Sequence, residues 1–148
     1  MSCNLRFRAK FWVDAQYTVA MSQLDQLTHV VAAVIQCSGR YLVAQRPNDK
    51  HHGDLWEFPG GKIKEFETES SAISRELKEE LELTVTSVGS KLAELDDGAV
   101  ALSFIEVSVT GIACLNEHQA IRWEAPDHLR KIDLCPLDRR FVEDVLDV

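Results

Sequence analysis

No two cysteines in this chain stand in CxxC spacing. Cys3, Cys37, Cys114 and Cys135 are scattered, which excludes a ready zinc cage or a disulfide framework and leaves reduced thiols as the expectation. No apolar run reaches the length of a bilayer span, so no membrane partner is expected. Positive charge is also short. Sixteen Lys and Arg face 24 Asp and Glu, a net charge of −8, and duplex nucleic acid is set aside as a partner on that ground. Arg6, Arg8 and Lys10 precede apolar residues, but Asp14 and Gln16 interrupt what would be a signal segment, and a cytoplasmic location is expected. A small phosphorylated ligand stays open, because a divalent metal ion reverses the field wherever carboxylates cluster.

What is present suits one globular domain: 148 residues, 45% apolar and 27% charged, enough to bury a core. Residues 1–24 carry no clear period and stand apart as an extension, with residues 25–148 as the domain. Two readings of the extension remain: Met21 is the true start, or the segment is an ordered accessory strand. Val30–Ile35 is an unbroken apolar run of strand length, suited to a strand buried on both faces. Ser38-Gly39 turns the chain into a return strand, Tyr41–Ala44. Trp56–Phe58 reads as a short strand ended by Pro59-Gly60-Gly61. A helix is expected over about 69–81, with Thr68 as N-cap and Glu69 in the first turn. Leu83–Leu95 and Ala99–Val109 read as strands joined by the Asp96-Asp97-Gly98 turn. Ile121–Glu124 is a last strand, Pro126–Arg130 a short helix, and Pro136–Leu146 the terminal helix. The fold class is therefore α/β (α+β), with helices packed on both sides of one mixed sheet.

The helix over 69–81 carries an unusual charge pattern. Glu76, Glu79 and Glu80 share an arc of about 100°, along the edge of the apolar stripe formed by Ile73, Leu77 and Leu81. Like charges so close repel unless a cation neutralises them, and Mg²⁺ takes oxygen ligands at sites shared with phosphates. A solvated acidic face is the competing explanation for the cluster alone.

The surrounding residues extend the pattern. From Gly61 the chain reads GKIKEFETESSAISRELKEELEL, which resembles the signature G-x5-E-x7-R-E-U-x-E-E-x-G-U of the Nudix hydrolases, U being a bulky aliphatic residue. Gly61, Glu67, Arg75, Glu76, Leu77, Glu79, Glu80 and Leu83 match, and Glu82 replaces the family's glycine. At that position a non-glycine residue in the left-handed region costs roughly 1 kcal/mol, or the helix runs on. WEFPGGK at 56–62, Glu117-His118-Gln119 and Trp123 are similar to the MutT-like subgroup over about residues 27–147.

The resemblance implies a Nudix-type α/β/α sandwich and a hydrolase that cleaves nucleoside triphosphates to monophosphate and pyrophosphate with Mg²⁺, or Mn²⁺, in nucleotide-pool sanitation. It implies metal ligation by Glu79, Glu80, Glu117 and the carbonyl of Gly60, and a general-base role for Glu76. Arg75 and Glu67 would orient these carboxylates, and Gly60 and Gly61 would let the backbone approach metal and phosphates. Arg46 matches a substrate-contacting arginine of the subgroup, or is an ordinary arginine ending a strand. Asp138, in Leu134-Cys135-Pro136-Leu137-Asp138, matches a base-reading position; there a carboxylate accepts from the N–H groups of guanine or cytosine, which favours 8-oxo-dGTP or (d)CTP. A protonated Asp138 could also donate, which widens the choice of base, and its alternative role is to cap the terminal helix. Markers of ADP-ribose and dinucleoside-polyphosphate relatives are missing, since no proline lies between Pro59 and Pro126 and the tyrosines are Tyr17 and Tyr41. A nucleotide sugar, a cofactor diphosphate or capped RNA keeps the same chemistry. A non-catalytic nucleotide-sensing domain is disfavoured by the intact Arg75, Glu76, Glu79 and Glu80. Monomer and homodimer both remain open.

Overall fold

Val31, Ala33 and Ile35 point to one side of the first strand, and Ala32 and Val34 to the other, and both sides are buried. That strand, β1 (Thr28–Val34), is the spine of the computed structural model, which describes residues 27–146. The sequence proposals for residues 1–24 lie outside the described residues. The elements that follow are β2 (Gln36–Cys37), β3 (Arg40–Gln45), β4 (Trp56–Glu57), β5 (Gly60–Lys62), α1 (Glu69–Leu81), β6 (Thr84–Asp96), β7 (Val100–Thr110), β8 (Ala120–Glu124), α2 (Pro126–Leu129) and α3 (Pro136–Asp144).

The main sheet is mixed, in the order β5-β1-β7-β6, with β1 and β7 parallel and the other pairs antiparallel. Helix α1 lays Ala72, Ile73, Leu77 and Leu81 on the Val31, Ala33 and Ile35 face. On the opposite face Phe141 and Val142 of α3 pack with Ala32, Val34 and Phe104. Phe104 and Phe141 stack with centroids 4.0 Å apart, and Phe58 meets both edge-on. A mixed sheet thus lies between helices, as expected. The short strands, however, do not join it: β2, β4 and β8 all pair with β3 in a second, antiparallel sheet. The two-residue β2 and β4 are too short to show alternation in sequence, and the pairing of β8 with β3 joins segments about 80 positions apart, which no local pattern records.

Two local features place the site. Gly60 and Gly61 pair with Ala32 and Val31 at the sheet edge, and a Cβ on Gly60 would collide with the Val31 carbonyl. The segment before α3 lies beside β4, where Trp56 N–H donates to Asp133 O at 2.7 Å and Cys135 N–H to Trp56 O at 2.8 Å. Cys37, Cys114 and Cys135 are free thiols. Among the described residues no helix is long and apolar enough to cross a membrane.

Candidate active site

Helix α1 begins where the sequence places it. Thr68 Oγ1 accepts from the Ser71 N–H, and the Ser71 hydroxyl accepts from the Thr68 N–H, a reciprocal cap that satisfies two donors left open at a helix start. The helix ends at Glu82, at φ 58° in the left-handed region. It therefore stops at the glycine position of the signature and does not run on, so Glu82 bears the strain of a Cβ there.

Along this helix Arg75 organises the acidic residues. Its guanidinium grips Glu67 through two bonds, Nε to Oε1 at 2.7 Å and Nη2 to Oε2 at 2.9 Å. Nη1 donates to Glu76 Oε1 at 2.6 Å and Glu79 Oε2 at 3.2 Å, and Nη2 also reaches Lys62 O at 3.0 Å. This planar fork of donors fixes several acceptors at once, a task a lysine ammonium does poorly. The Arg75 bond holds Glu67 down to a pKa of about 2, with help from the Lys64 N–H. Glu76 is pressed from the other side. A Cβ on Gly61 would fall 2.5 Å from Glu76 Oε1, so Gly61 leaves the room in which that carboxylate stands.

Glu80 is different. It is only 7% exposed, and its Oε2 has no hydrogen-bond partner among the described residues. Burial, and then repulsion from Glu57, Glu76 and Glu117, raises its pKa to about 9. A carboxylate so placed either keeps its proton or meets a cation. A divalent ion would satisfy the orphaned oxygen and cancel the repulsion together, so the donor set fits a hard metal. Among the described residues no three side chains already converge as a closed cage.

Glu117 comes from the loop after β7. That loop is tied to the C-terminal carbonyls of α1: Cys114 N–H donates to Leu81 O, Asn116 N–H to Glu80 O, and Asn116 Nδ2 to Glu79 O. The open end of a helix thus gains partners, and Glu117 arrives in the surroundings of Glu80. Nothing in the sequence reading singled out Asn116.

The site borders two cavities. One, of about 440 Å³, is walled by Phe58, Leu102, Leu137 and Asp138; the other, of about 530 Å³, by Lys50, Glu80, Glu117 and His118. Arg46 and Glu57 line both. Asp138 is 3% exposed and accepts the Phe58 N–H at Oδ1, 2.8 Å away. Its pKa is raised by burial and by Glu57. Cys135 gives helix α3 no side-chain cap at its start, and the Asp138 carboxylate in the first turn reaches across to the Phe58 N–H and lines the cavity.

A family model for the NUDIX domain matches residues 30–144. The chain belongs to the NUDIX domain family. It is similar to the CTP pyrophosphohydrolase of Escherichia coli, 35% identical over 122 residues, covering 80% of this chain and 90% of that protein. An 8-oxo-dGTP diphosphatase of Proteus vulgaris is 39% identical over 85 residues, 54% of this chain and 75% of that one. Among solved structures, the Escherichia coli ORF135 protein superposes with a TM-score of 0.71 at 35% identity, covering 80% of this chain and 87% of that one. The MutT NUDIX hydrolase of Burkholderia pseudomallei gives 0.69 at 25% identity, covering 81% and 98%.

Against this NUDIX frame, the residues singled out in sequence fall in one region. Arg75 joins Glu67, Glu76 and Glu79; Gly60 and Gly61 flank them; Glu80 and Glu117 line one pocket with Arg46; and Asp138 lines the other. Arg46 is no free strand-end arginine, since Nε donates to His51 O and Nη1 to Glu57 Oε2, both at 2.8 Å. Sequence reasoning missed Glu57, whose other oxygen lies 3.0 Å from His118 Nε2. It left His118 without a role, although that side chain is buried at 7% exposure.

Proposed function

We propose that this chain is a divalent-metal-dependent nucleoside triphosphate pyrophosphohydrolase of the nucleotide-pool sanitising kind, acting on 8-oxo-dGTP or (d)CTP. The observation that carries the reading is Glu80: a buried, unpartnered carboxylate oxygen in acidic company, lining a cavity that shares Arg46 and Glu57 with a second one walled by Asp138. The relatives named for CTP and 8-oxo-dGTP hydrolysis support the substrate class.

In this mechanism Glu79, Glu80, Glu117 and the Gly60 carbonyl would hold Mg²⁺ or Mn²⁺. When bound, the ion neutralises phosphate charge as the bridging bond breaks. Glu76 takes the proton of the attacking water. Water adds to the β-phosphorus, and the α–β bridging bond breaks toward the α-phosphate. The products are nucleoside monophosphate and pyrophosphate. Arg75 keeps Glu76 aimed and Glu67 keeps Arg75 in place. Arg46 faces the phosphates, and Asp138 meets the base edge, accepting from it when ionised and able to donate to it when its raised pKa leaves it protonated. Residues 25–148 make up the hydrolase domain.

The test is kcat/KM for 8-oxo-dGTP, dGTP, CTP, dCTP and 5-methyl-dCTP with Mg²⁺, in the wild type and in Glu79→Gln and Glu80→Gln. A clear preference for one base class is expected, with most turnover lost in both variants and the fold intact by circular dichroism. Comparable values for all five nucleotides would remove Asp138 as a reader, and near-normal turnover in both variants would refute the assigned metal ligands.

A further inference from the structure

Glu57 stands where the two cavities meet, and no part of the chemistry above uses it. It is the last residue of β4, its side chain is 17% exposed, and each of its oxygens has one partner. Oε2 takes Arg46 Nη1 at 2.8 Å and Oε1 takes His118 Nε2 at 3.0 Å. An ionised carboxylate only accepts, so the histidine carries its proton on Nε2 and donates. Its Nδ1 is buried and has no partner among the described residues. His118 gains this one polar contact, and the contact selects its orientation. His118 follows Glu117 directly, and Gln119 is bound to Arg46 O and Asp54 Oδ1 at 2.6 and 2.7 Å. The loop that presents Glu117 is therefore anchored at one end on helix α1 by Asn116 and at the other on the 46–57 segment by His118 and Gln119.

We propose that Glu57 is a positioning residue that sets Glu117 and Arg46 relative to each other, holding the loop of the first through His118 and the guanidinium of the second directly. A carboxylate bound on both sides is a stiff spacer between the group facing phosphate and the group facing metal. Removing its charge frees both ends at once. The consequence for turnover rests on the proposed hydrolase reading; the consequence for metal affinity does not.

The experiment measures Mn²⁺ binding by electron paramagnetic resonance on nucleotide-free protein, with kinetics alongside. The variants are Glu57→Gln, His118→Leu, His118→Gln and the double Glu57→Gln/His118→Leu. Partners of ligating groups commonly alter affinity by about 10-fold or more. A loss of that size is expected in Glu57→Gln and in His118→Leu, and much of it should return in His118→Gln, whose amide can still donate from the Nε2 position. The double variant should lose little beyond either single one, because both act along one path. KM for the nucleotide should rise in Glu57→Gln, where Arg46 is released, while His118→Leu lowers kcat alone. Should the leucine variant melt, His118→Asn, polar but too short to span the gap, takes its place. Wild-type Mn²⁺ affinity in Glu57→Gln overturns the proposal. So does a loss in Glu57→Gln with none in His118→Leu, since Glu57 would then act on the ion itself. A wild type that binds no Mn²⁺ overturns it as well. A wild type that binds Mn²⁺ but cleaves no nucleoside triphosphate sinks only the hydrolase reading.

Discussion

Two adjacent glycines at the mouth of the site are required for different reasons. Gly60 needs its hydrogen because the Val31 carbonyl, a backbone atom of the central strand, occupies the space of a Cβ. Gly61 needs its hydrogen because the Glu76 carboxylate occupies that space. Backbone in a packed sheet cannot yield, whereas a side-chain carboxylate can turn aside and lose its aim. Gly60→Ala should therefore cost about 1–3 kcal/mol of stability. Gly61→Ala should melt near the wild type but lose roughly 100-fold in kcat, the order expected when a catalytic group is displaced by about 1 Å. Urea titrations paired with turnover distinguish the two, and a Gly61→Ala enzyme with full activity would show that Glu76 is not the base.

At the scale of one element, helix α1 combines a strong start with a strained stop. The Thr68–Ser71 cap is matched at the other end by a glutamate at φ 58°. Left-handed backbone costs an L-residue about 1–2 kcal/mol, and glycine returns part of that gain through the entropy of the unfolded chain. Glu82→Gly should thus raise stability by about 0.5–1 kcal/mol, visible as a higher urea midpoint at constant slope. An unchanged or lower midpoint would mean that the loop after β7 has already absorbed the strain. This helix was also the most legible part of the sequence. Its cap, period and stop are local, and the signature residues lie within 23 positions of one another. Glu57 was illegible for the opposite reason, because its partners are 11 and 61 positions away and only the pairing of the small sheet brings them near. Asn116 was hidden likewise: an asparagine in a polar loop has no pattern until the helix end it covers is in place.

Across the whole molecule, the buried Asp138 joins the terminal helix to the end of β4 and makes global stability depend on pH. Its native pKa lies above the unfolded value of about 3.9. Between those two values the native state holds a proton that the unfolded chain has lost, so stability from this group is full below the unfolded pKa and declines as pH rises toward the native one. Asp138→Asn keeps an oxygen for the Phe58 N–H and removes the proton. The variant should gain on the wild type as pH climbs from about 4, by at most about 1.4 kcal/mol per pH unit. Thermal melts of both proteins across pH 4.5–8 measure the difference, and parallel curves would place the Asp138 pKa near its ordinary value.

The wall shared by the two cavities also bears on how such an enzyme changes its preferences. Asp138 and Leu137 touch only the apolar chamber, whereas Arg46 and Glu57 face both. Selection for a new nucleobase can rewrite the first pair one residue at a time with the acidic chamber undisturbed. Any mutation in the second pair alters recognition and reaction together. Divergence of taste should therefore accumulate at the far wall, while the partition stays constant across lineages that keep the same chemistry.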